Sequence, residues 1–286
     1  MKTAAVLASG CKVNLYLRIT GRRADGYHEL DTLFLPLNEP HDTLTITPEN
    51  GDGIRVTCSE PAVDPQNNTL VRAYTRFAKA SGFAPAIHVH LEKGVPHGAG
   101  LGGGSADAAT LLRYLNHHAP APLEAGALIT LAASVGADVP FFLIGAPARA
   151  TGIGEVLTPH PVLLQGLTLL LACPPVRVST PWAFAAWDKM HEFASDAQDC
   201  LTTTGDAVSS LFACSQWLRN DFEDIVFKAY PELHALKERL LRSGAGAAVM
   251  SGSGASVFGV YRHGQQAAQA ARSLEGDGIA AFLHAF

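Results

Sequence analysis

Pro96-His97-Gly98-Ala99-Gly100-Leu101-Gly102-Gly103-Gly104-Ser105-Ala106 is the densest glycine run of the chain, with five glycines in the seven positions from Gly98 to Gly104. The segment before it, Ala86 to Glu92, alternates Ile87, Val89 and Leu91 with His88, His90 and Glu92, the period of a half-buried strand. After it, Ala108, Leu111, Leu112 and Leu115 fall at i, i+3, i+4 and i+7 and make one apolar helix face. Ser105 is placed as the N-cap. A strand, a glycine turn and a helix start together make an anion site. The first helical amides have no intrahelical partner and point outward, the macrodipole adds about half a positive charge, and glycines let oxygens approach the backbone. A tight turn alone needs one or two glycines, so the run reads as a phosphate cradle.

Other phosphate and catalytic motifs fail on context. Gly98-x-Gly100-x-x-Gly103 matches the dinucleotide fingerprint, but that unit needs a strand straight after its helix. Here Pro120 and Pro122 lead into a second helix, about Leu123 to Val135. The run lacks the Gly-Lys-Ser/Thr of a Walker loop, and neither a G-x-S-x-G elbow nor a protein-kinase set is present. Neither His28-Glu29 nor His191-Glu192 has a second histidine at zincin spacing. His88 and His90 share a strand face, more often a solvated face than a metal pair.

Outward from the run, Val13, Leu15, Leu17 and Ile19 alternate with Lys12, Asn14, Tyr16 and Arg18, which puts Lys12 and Asn14 side by side on one strand face. Leu30 to Leu37, Thr43 to Thr47 and Gly53 to Cys58 read as further strands. The clean alternation predicts an antiparallel sheet with one solvated face. Asn68 to Gly82 reads as a helix. Gly136-Ala137-Asp138-Val139-Pro140 turns into the apolar segment Phe141 to Ile144. The second half opens between Gly154 and Gly166. It holds a buried-type strand (Leu167 to Ala172), a helix starting at Thr180-Pro181-Trp182, and a polar loop from Ala194 to Asp206. Two helices separated at Tyr230-Pro231 follow within Leu211 to Ser243. A second glycine-rich hairpin (Ser243 to Gly254), a strand (Ala255 to Tyr261), a helix (Gly264 to Leu274) and a short last strand close the chain.

The 286 residues are 48% hydrophobic and 16% charged, with net charge −5. That composition excludes a largely disordered chain. The absence of a basic stripe gives no groove for nucleic acid. The most apolar stretches, Leu167 to Cys173 and Val139 to Ala146, fall short of the roughly 18 to 20 residues of a membrane span. Cys11, Cys58, Cys173, Cys200 and Cys214 are odd in number with no C-x-x-C, which argues against a disulfide framework and fits a reducing cytoplasm. The start, Lys2 to Cys11, imitates a lipoprotein signal. Its apolar part, Ala4 to Ala8, is shorter than the roughly 7 to 15 residues such a signal needs, and Cys11 opens the first strand.

Several segments, in order along the chain, resemble one family. Cys11-Lys12-Val13-Asn14-Leu15-Tyr16-Leu17 with Gly21-Arg22-Arg23-Ala24-Asp25-Gly26-Tyr27-His28 is similar to the opening motif of the 4-diphosphocytidyl-2-C-methyl-D-erythritol kinases, a branch of the GHMP superfamily of small-molecule kinases. Pro96 to Ala109 resembles that family's ATP motif, Gly136 to Pro140 the segment of its catalytic aspartate, and Met250-Ser251-Gly252-Ser253-Gly254-Ala255 its C-terminal glycine motif. The resemblance implies an α+β, two-domain fold. Residues 1–157 would form an N-terminal ATP-binding and catalytic domain of the ribosomal-protein-S5 type, and residues 158–286 a ferredoxin-like C-terminal domain, with the site between them. It also implies ATP-dependent phosphorylation of the 2-hydroxyl of a CDP-linked methylerythritol, in the non-mevalonate route to isoprenoid precursors, with Mg2+ expected. A homoserine- or mevalonate-kinase activity is the alternative within the superfamily.

The resemblance implies roles residue by residue. Asp138 matches the base for the acceptor hydroxyl, and Lys12 the lysine that keeps it ionised and stabilises the transferring phosphate. Asn14 is a candidate for hydrogen bonding to substrate or phosphate. Pro96, His97, Gly98, Ala99, Gly100, Leu101, Gly102, Gly103, Gly104, Ser105 and Ala106 match the ATP loop. Asn68 and Lys93 match positions near the adenine. Tyr27 would stack on cytosine, His28 would read its edge, and Phe184 aligns as a second stacking aromatic or is an ordinary core residue. Ser105 would touch phosphate or magnesium, or only cap the helix. The metal ligands and oligomeric state are not readable. Two departures stand out: Gly10-Cys11 replaces the usual Pro-Ala, with Cys11 expected buried, and Asp107 sits in the phosphate-binding helix, expected to point away from ATP.

Overall fold

The structure, a computed structural model, describes residues 3–191 and 218–286. The polar loop read at Ala194 to Asp206, the first residues of the Leu211 segment, and Cys200 and Cys214 lie outside the described residues.

Two long strands, β1 (Ala5–Arg22) and β2 (His28–Pro48), pair antiparallel from Ala5 against Ile46 to Arg22 against His28. The expected strands Leu30 to Leu37 and Thr43 to Thr47 are therefore one strand. The polar run between them is absorbed where the register shifts between Ser9 and Cys11, as a bulge absorbs extra residues without ending a ladder. One end of β2 pairs with β4 (Ile87–Glu92) and the other with β5 (Ala148–Gly152), and β6 (Val156–Pro159) completes that edge. On the far side β3 (Ile54–Cys58) runs parallel to β4. This corrects the expectation of a wholly antiparallel sheet. The helix α1 (Thr69–Ser81) lies between β3 and β4 in the chain, and a crossover of that length makes strands parallel where a hairpin makes them antiparallel.

Against one face of this sheet lie α1, α2 (Gly103–His118), α3 (Ala125–Val135) and α4 (Val139–Ile144). Asn68 caps α1 by accepting from Val71 N, and Gly82 ends it in the left-handed conformation, the asymmetry that cap chemistry favours. Ala108, Leu111, Leu112 and Leu115 are all buried, facing Leu44, Ile46 and Val89 of the sheet in one core. The segment read only as apolar, Phe141 to Ile144, is the short helix α4, started by Pro140 in its first turn.

The second sheet has the order β10 (Ala280–Ala285), β7 (Thr168–Cys173), β9 (Val257–Tyr261), β8 (Ala247–Met250), antiparallel throughout. With α5 (Thr180–His191), α6 (Glu223–Ala229) and α7 (Pro231–Arg242) before β8 and α8 (Gly264–Gly276) before β10, this is the ferredoxin-like arrangement. β7 explains its own composition. Leu170 and Ala172 pack on the helices with Leu236, Leu240 and Leu274, while Leu169, Leu171 and Cys173 pack toward Leu15, Leu33 and Leu35 of the first sheet. A strand buried on both faces reads as an unbroken apolar run. The same contact brings the start of α2 and the inner face of β1 up against the β8–β9 loop.

Candidate active site

The glycine run joins β4 to α2. The helix begins at Gly103, three residues earlier than the sequence predicts, and its N-cap is Gly102 in the left-handed conformation with no side-chain cap bond. Ser105 is therefore not the cap. It is the third helical residue, and its own N–H is taken up by the Gly102 carbonyl at 2.9 Å. With no side chain occupying the helix start, the Gly103 and Gly104 amides ahead of that bond have no intrahelical partner and are open to an anion.

The second glycine hairpin supports the first. Ser251 Oγ donates to the Gly100 carbonyl at 3.1 Å and accepts from Asn14 N at 3.2 Å, and Ser256 N donates to the Ala99 carbonyl at 3.2 Å. Asn220, which no motif singles out, donates to the carbonyls of Met250 and Gly252, both at 2.7 Å. A Cβ on Gly100 (φ +76°) would lie 2.2 Å from the Ser251 carbonyl oxygen, whereas one on Gly98 (φ +71°) would meet nothing. Both substitutions to alanine carry the left-handed penalty of about 1–2 kcal/mol, but only Gly100→Ala must also part the two loops. Gly100→Ala is expected to raise the KM for a phosphate-bearing substrate at least about tenfold and to lower Tm by more than Gly98→Ala does. Steady-state kinetics and thermal unfolding of the two variants check this, and equal behaviour would remove the buttress.

Lys12 and Asn14 do share one face, and it faces the cleft. Lys12 is 5% exposed. Its Nζ donates to Asn14 Oδ1 at 2.6 Å, lies 3.8 Å from Asp138 Oδ2, and sits over the Phe34 ring at 4.7 Å. Burial holds the Lys12 ammonium below the ordinary lysine range, with the Asp138 carboxylate opposing that shift. Asn14 has its carbonyl on Lys12 and donates from Nδ2 to Thr32 Oγ1 at 2.8 Å, so it braces the lysine. Asp138 is the residue before α4, caps nothing with its side chain, and is about a third exposed to the cleft.

Toward the other end, Asn68 spends its carbonyl on the α1 cap and donates from Nδ2 to the Asp64 carbonyl at 2.7 Å. Lys93 Nζ bonds Asp42 and lies 3.4 Å from Asp107 Oδ2, while Asp42 Oδ1 accepts the N–H groups of Gly94 and Val95, both at 2.8 Å. Asp107 is buried in this cluster, and burial raises its carboxyl to about 7. Burial also works against the Lys93 charge, but the two carboxylates outweigh it and hold Lys93 above the usual lysine range.

The β1–β2 turn carries Tyr27 and His28. Tyr27 is 60% exposed, whereas His28 is buried. The His28 ring stacks on Phe184 (centroids 4.6 Å apart, 18° between planes), and its Nε2 lies 2.6 Å from Asp188 Oδ1. Phe184 also packs edge-on to Phe222, so it serves the core and the cleft together. Asp188 has no motif of its own. The only signal was its place one helical turn after Phe184.

One cleft of about 1060 Å³ is lined by Lys12, Asn14, Tyr27, His28, Asn68, Lys93, the run Pro96 to Ser105, Asp138 and Phe184. Ala106 is the exception, packed into the helix–sheet core. Asp188, Thr32 and Ser253 also line the cleft. His88 and His90 both bond Thr57 Oγ1, at 2.7 and 2.9 Å. Cys11 is buried as expected, its thiol held far above the ordinary range chiefly by that burial. Among the described residues, no group of three or more His, Cys, Asp or Glu side chains could hold a metal by itself.

Comparison with known proteins bears on this geometry. Residues 68–146 match the GHMP kinases N terminal domain, and residues 204–280 the GHMP kinases C terminal family. The chain is 55% identical over 284 residues to a 4-diphosphocytidyl-2-C-methyl-D-erythritol kinase of Nitratidesulfovibrio vulgaris, covering 99% of both chains. It is 48% identical to the protein of that name from Solidesulfovibrio magneticus, over 96% of this chain and 94% of the relative. A crystal structure of 4-(cytidine 5'-diphospho)-2C-methyl-D-erythritol kinase superposes with TM-score 0.77 at 33% identity, covering 98% of each chain.

Proposed function

The chain belongs to the 4-diphosphocytidyl-2-C-methyl-D-erythritol kinase family of GHMP kinases, and from that membership we propose that its cleft transfers the γ-phosphoryl group of ATP to the 2-hydroxyl of 4-diphosphocytidyl-2-C-methyl-D-erythritol. One observation carries the assignment of roles: the Lys12 ammonium and Asp138 carboxylate, 3.8 Å apart, stand in the cleft that the uncapped start of α2 opens into. Residues 1–157 supply both of these groups, and residues 158–286 supply the loop buttress and the aromatic wall at Phe184.

The triphosphate lies along Gly98 to Ser105, its charge met by the first-turn amides and the helix dipole. The adenine lies toward Asn68 and Lys93. Mg2+ would need only one or two protein oxygens beside the phosphates. Ser105 is the cleft-lining oxygen donor that would hold such an ion. When bound, the ion neutralises charge on the phosphates.

The acceptor end is set by Tyr27, His28 and Phe184. Asp188 holds the His28 ring in one orientation, so that the imidazole presents a fixed pattern to the cytosine edge, while exposed Tyr27 is free to fold over the base. At the reacting end, Asp138 accepts the hydrogen of the acceptor hydroxyl. An ordinary aspartate near pKa 3.9 is a weak base toward an alcohol. In a loose phosphoryl-transfer transition state the proton leaves late, so orientation is the larger part of what Asp138 does. Lys12, 3.8 Å from Asp138, stabilises charge on the transferring group. We place this reaction in the cytoplasm. No helix among the described residues is long and apolar enough to cross a membrane.

A panel of acceptors with ADP detection tests the reading. Turnover is expected with the CDP-linked methylerythritol and not with homoserine or mevalonate. Turnover with either of those and none with the CDP compound would overturn it.

A further inference from the structure

We infer that Thr32 is a positioning residue for phosphoryl transfer, its hydroxyl pinning both the Asn14 side chain and the β1 bulge so that the Asn14 carbonyl stays on the Lys12 ammonium. The inference rests on the reading of Lys12 as the cation of that transfer. Thr32 is 1% exposed and lies on β2 at the cleft wall. Its hydroxyl makes two contacts, 2.5 Å to the Tyr16 carbonyl and 2.8 Å to Asn14 Nδ2. A hydroxyl has one hydrogen. The Tyr16 carbonyl can only accept, so the Thr32 hydrogen goes there and its lone pair must take the hydrogen from Asn14. The Asn14 amide is thereby fixed with its nitrogen toward β2 and its oxygen toward Lys12 Nζ, 2.6 Å away.

The backbone makes the same point. The β1–β2 register shifts between Asn14 and Tyr16, so β1 bulges where its side chains change faces. Lys12 and Asn14 look into the cleft, while the Tyr16 hydroxyl turns to Asp31 on the other side, at 2.8 Å. Bulges of this kind re-aim side chains at active sites. The Thr32 hydroxyl ties the bulge carbonyl to the residue just before it. When the ammonium moves toward a phosphate, Asn14 still has an anchor that does not move with it.

The groups around Lys12 set the sign of the pH effect. From β1 it is faced by Asn14 and by the buried Cys11 thiol, from β2 by the Phe34 ring, from the start of α4 by Asp138, and from the glycine loop by uncharged backbone at Gly102. Asn14 Oδ1 bonds the charged form of the lysine, so loosening it favours loss of the proton. The alkaline limb of kcat moves to lower pH.

Thr32→Val keeps the shape and removes the hydroxyl, Thr32→Ala removes it with less crowding, and Thr32→Ser restores it. For Thr32→Val and Thr32→Ala, kcat is expected to fall about 10- to 100-fold, with both KM values within about twofold. Their alkaline limbs should shift down in pH, while Thr32→Ser recovers most of the rate. Titration of the Lys12 side chain by heteronuclear NMR should show the same downward shift without any turnover. Unchanged kcat and an unmoved Lys12 titration in the hydroxyl-free variants would overturn the inference, as would Thr32→Ser behaving like Thr32→Val. If neither hydroxyl-free variant folds, the hydroxyl serves the fold and not the amide, and the inference also falls. Should the NMR shift appear in a protein that does not phosphorylate the CDP compound, the functional reading fails while the positioning role stands.

Discussion

Asp138→Asn should lower kcat by about 10³-fold while leaving the KM for ATP nearly unchanged, because the amide neither orients the acceptor hydroxyl as the carboxylate does nor takes its proton, and neither task involves the nucleotide. The local structure makes this a clean experiment. Asp138 stands at the entry to α4 but forms no capping bond with its side chain, so an amide of the same shape takes nothing from the helix. The residue is partly exposed in the cleft, and its loss leaves Lys12 still bonded to Asn14. Tm should therefore fall by only a few degrees. Nucleotide binding by calorimetry, kcat by ADP release and a thermal melt separate the possibilities. Retained turnover would remove Asp138 from the chemistry, and lost nucleotide binding would make it a structural residue instead.

Lys12→Met has the opposite balance between stability and activity. The buried ammonium is held below the ordinary lysine range chiefly by burial. A group whose pKa is lower in the folded state binds fewer protons there than in the unfolded chain, so at neutral pH it disfavours folding, and stability rises with pH through the window between the two values. Methionine keeps the stem over Phe34 and removes the desolvated charge. The Asp138 carboxylate it leaves unpaired is about a third exposed, so water meets it and the penalty of a stranded buried charge does not arise. Methionine leaves the Asn14 carbonyl without a donor, at about 1 kcal/mol. Tm is expected to be unchanged or higher at neutral pH, with kcat down by about 10²- to 10³-fold because the transferring phosphoryl loses its cation. In the parent protein the same charge sets the alkaline limb of kcat, which should lie below the ordinary lysine value. A Tm many degrees lower in Lys12→Met would show that the fold needs the ammonium.

The glycine run and the helix after it were legible because their signals are local: positive-φ residues, a 3.6-residue apolar period, and caps such as Asn68 and Gly82. The strand carrying Lys12 and Asn14 was legible for the same reason. Ser105 looked like a cap because it precedes the apolar face, but Gly102, in the left-handed conformation, ends the loop sooner. Strand direction is not written in alternation, so the parallel pairing of β3 with β4 was missed. A helix as short as α4 has too few turns to show a period.

What sequence could not supply is which distant residues meet. His28 and Asp188 are 160 positions apart, and Asn220 reaches back to the loop at Met250 and Gly252 through a side chain that resembles any other asparagine. Thr32 sits in a strand full of ordinary β-formers, and only the pairing of β2 with β1 puts its hydroxyl beside Asn14. The family motifs located both ends of the Lys12–Asp138 pair, but the distance between them came from the packing of α4 and the glycine loop over β1.

A crystal structure with a non-hydrolysable ATP analogue tests the central claim most directly. The account predicts the triphosphate along Gly98 to Ser105, oxygens on the first-turn amides of α2, and the terminal phosphate turned toward Lys12 and Asp138. A triphosphate bound away from the start of α2, or a terminal phosphate facing away from that pair, would contradict it.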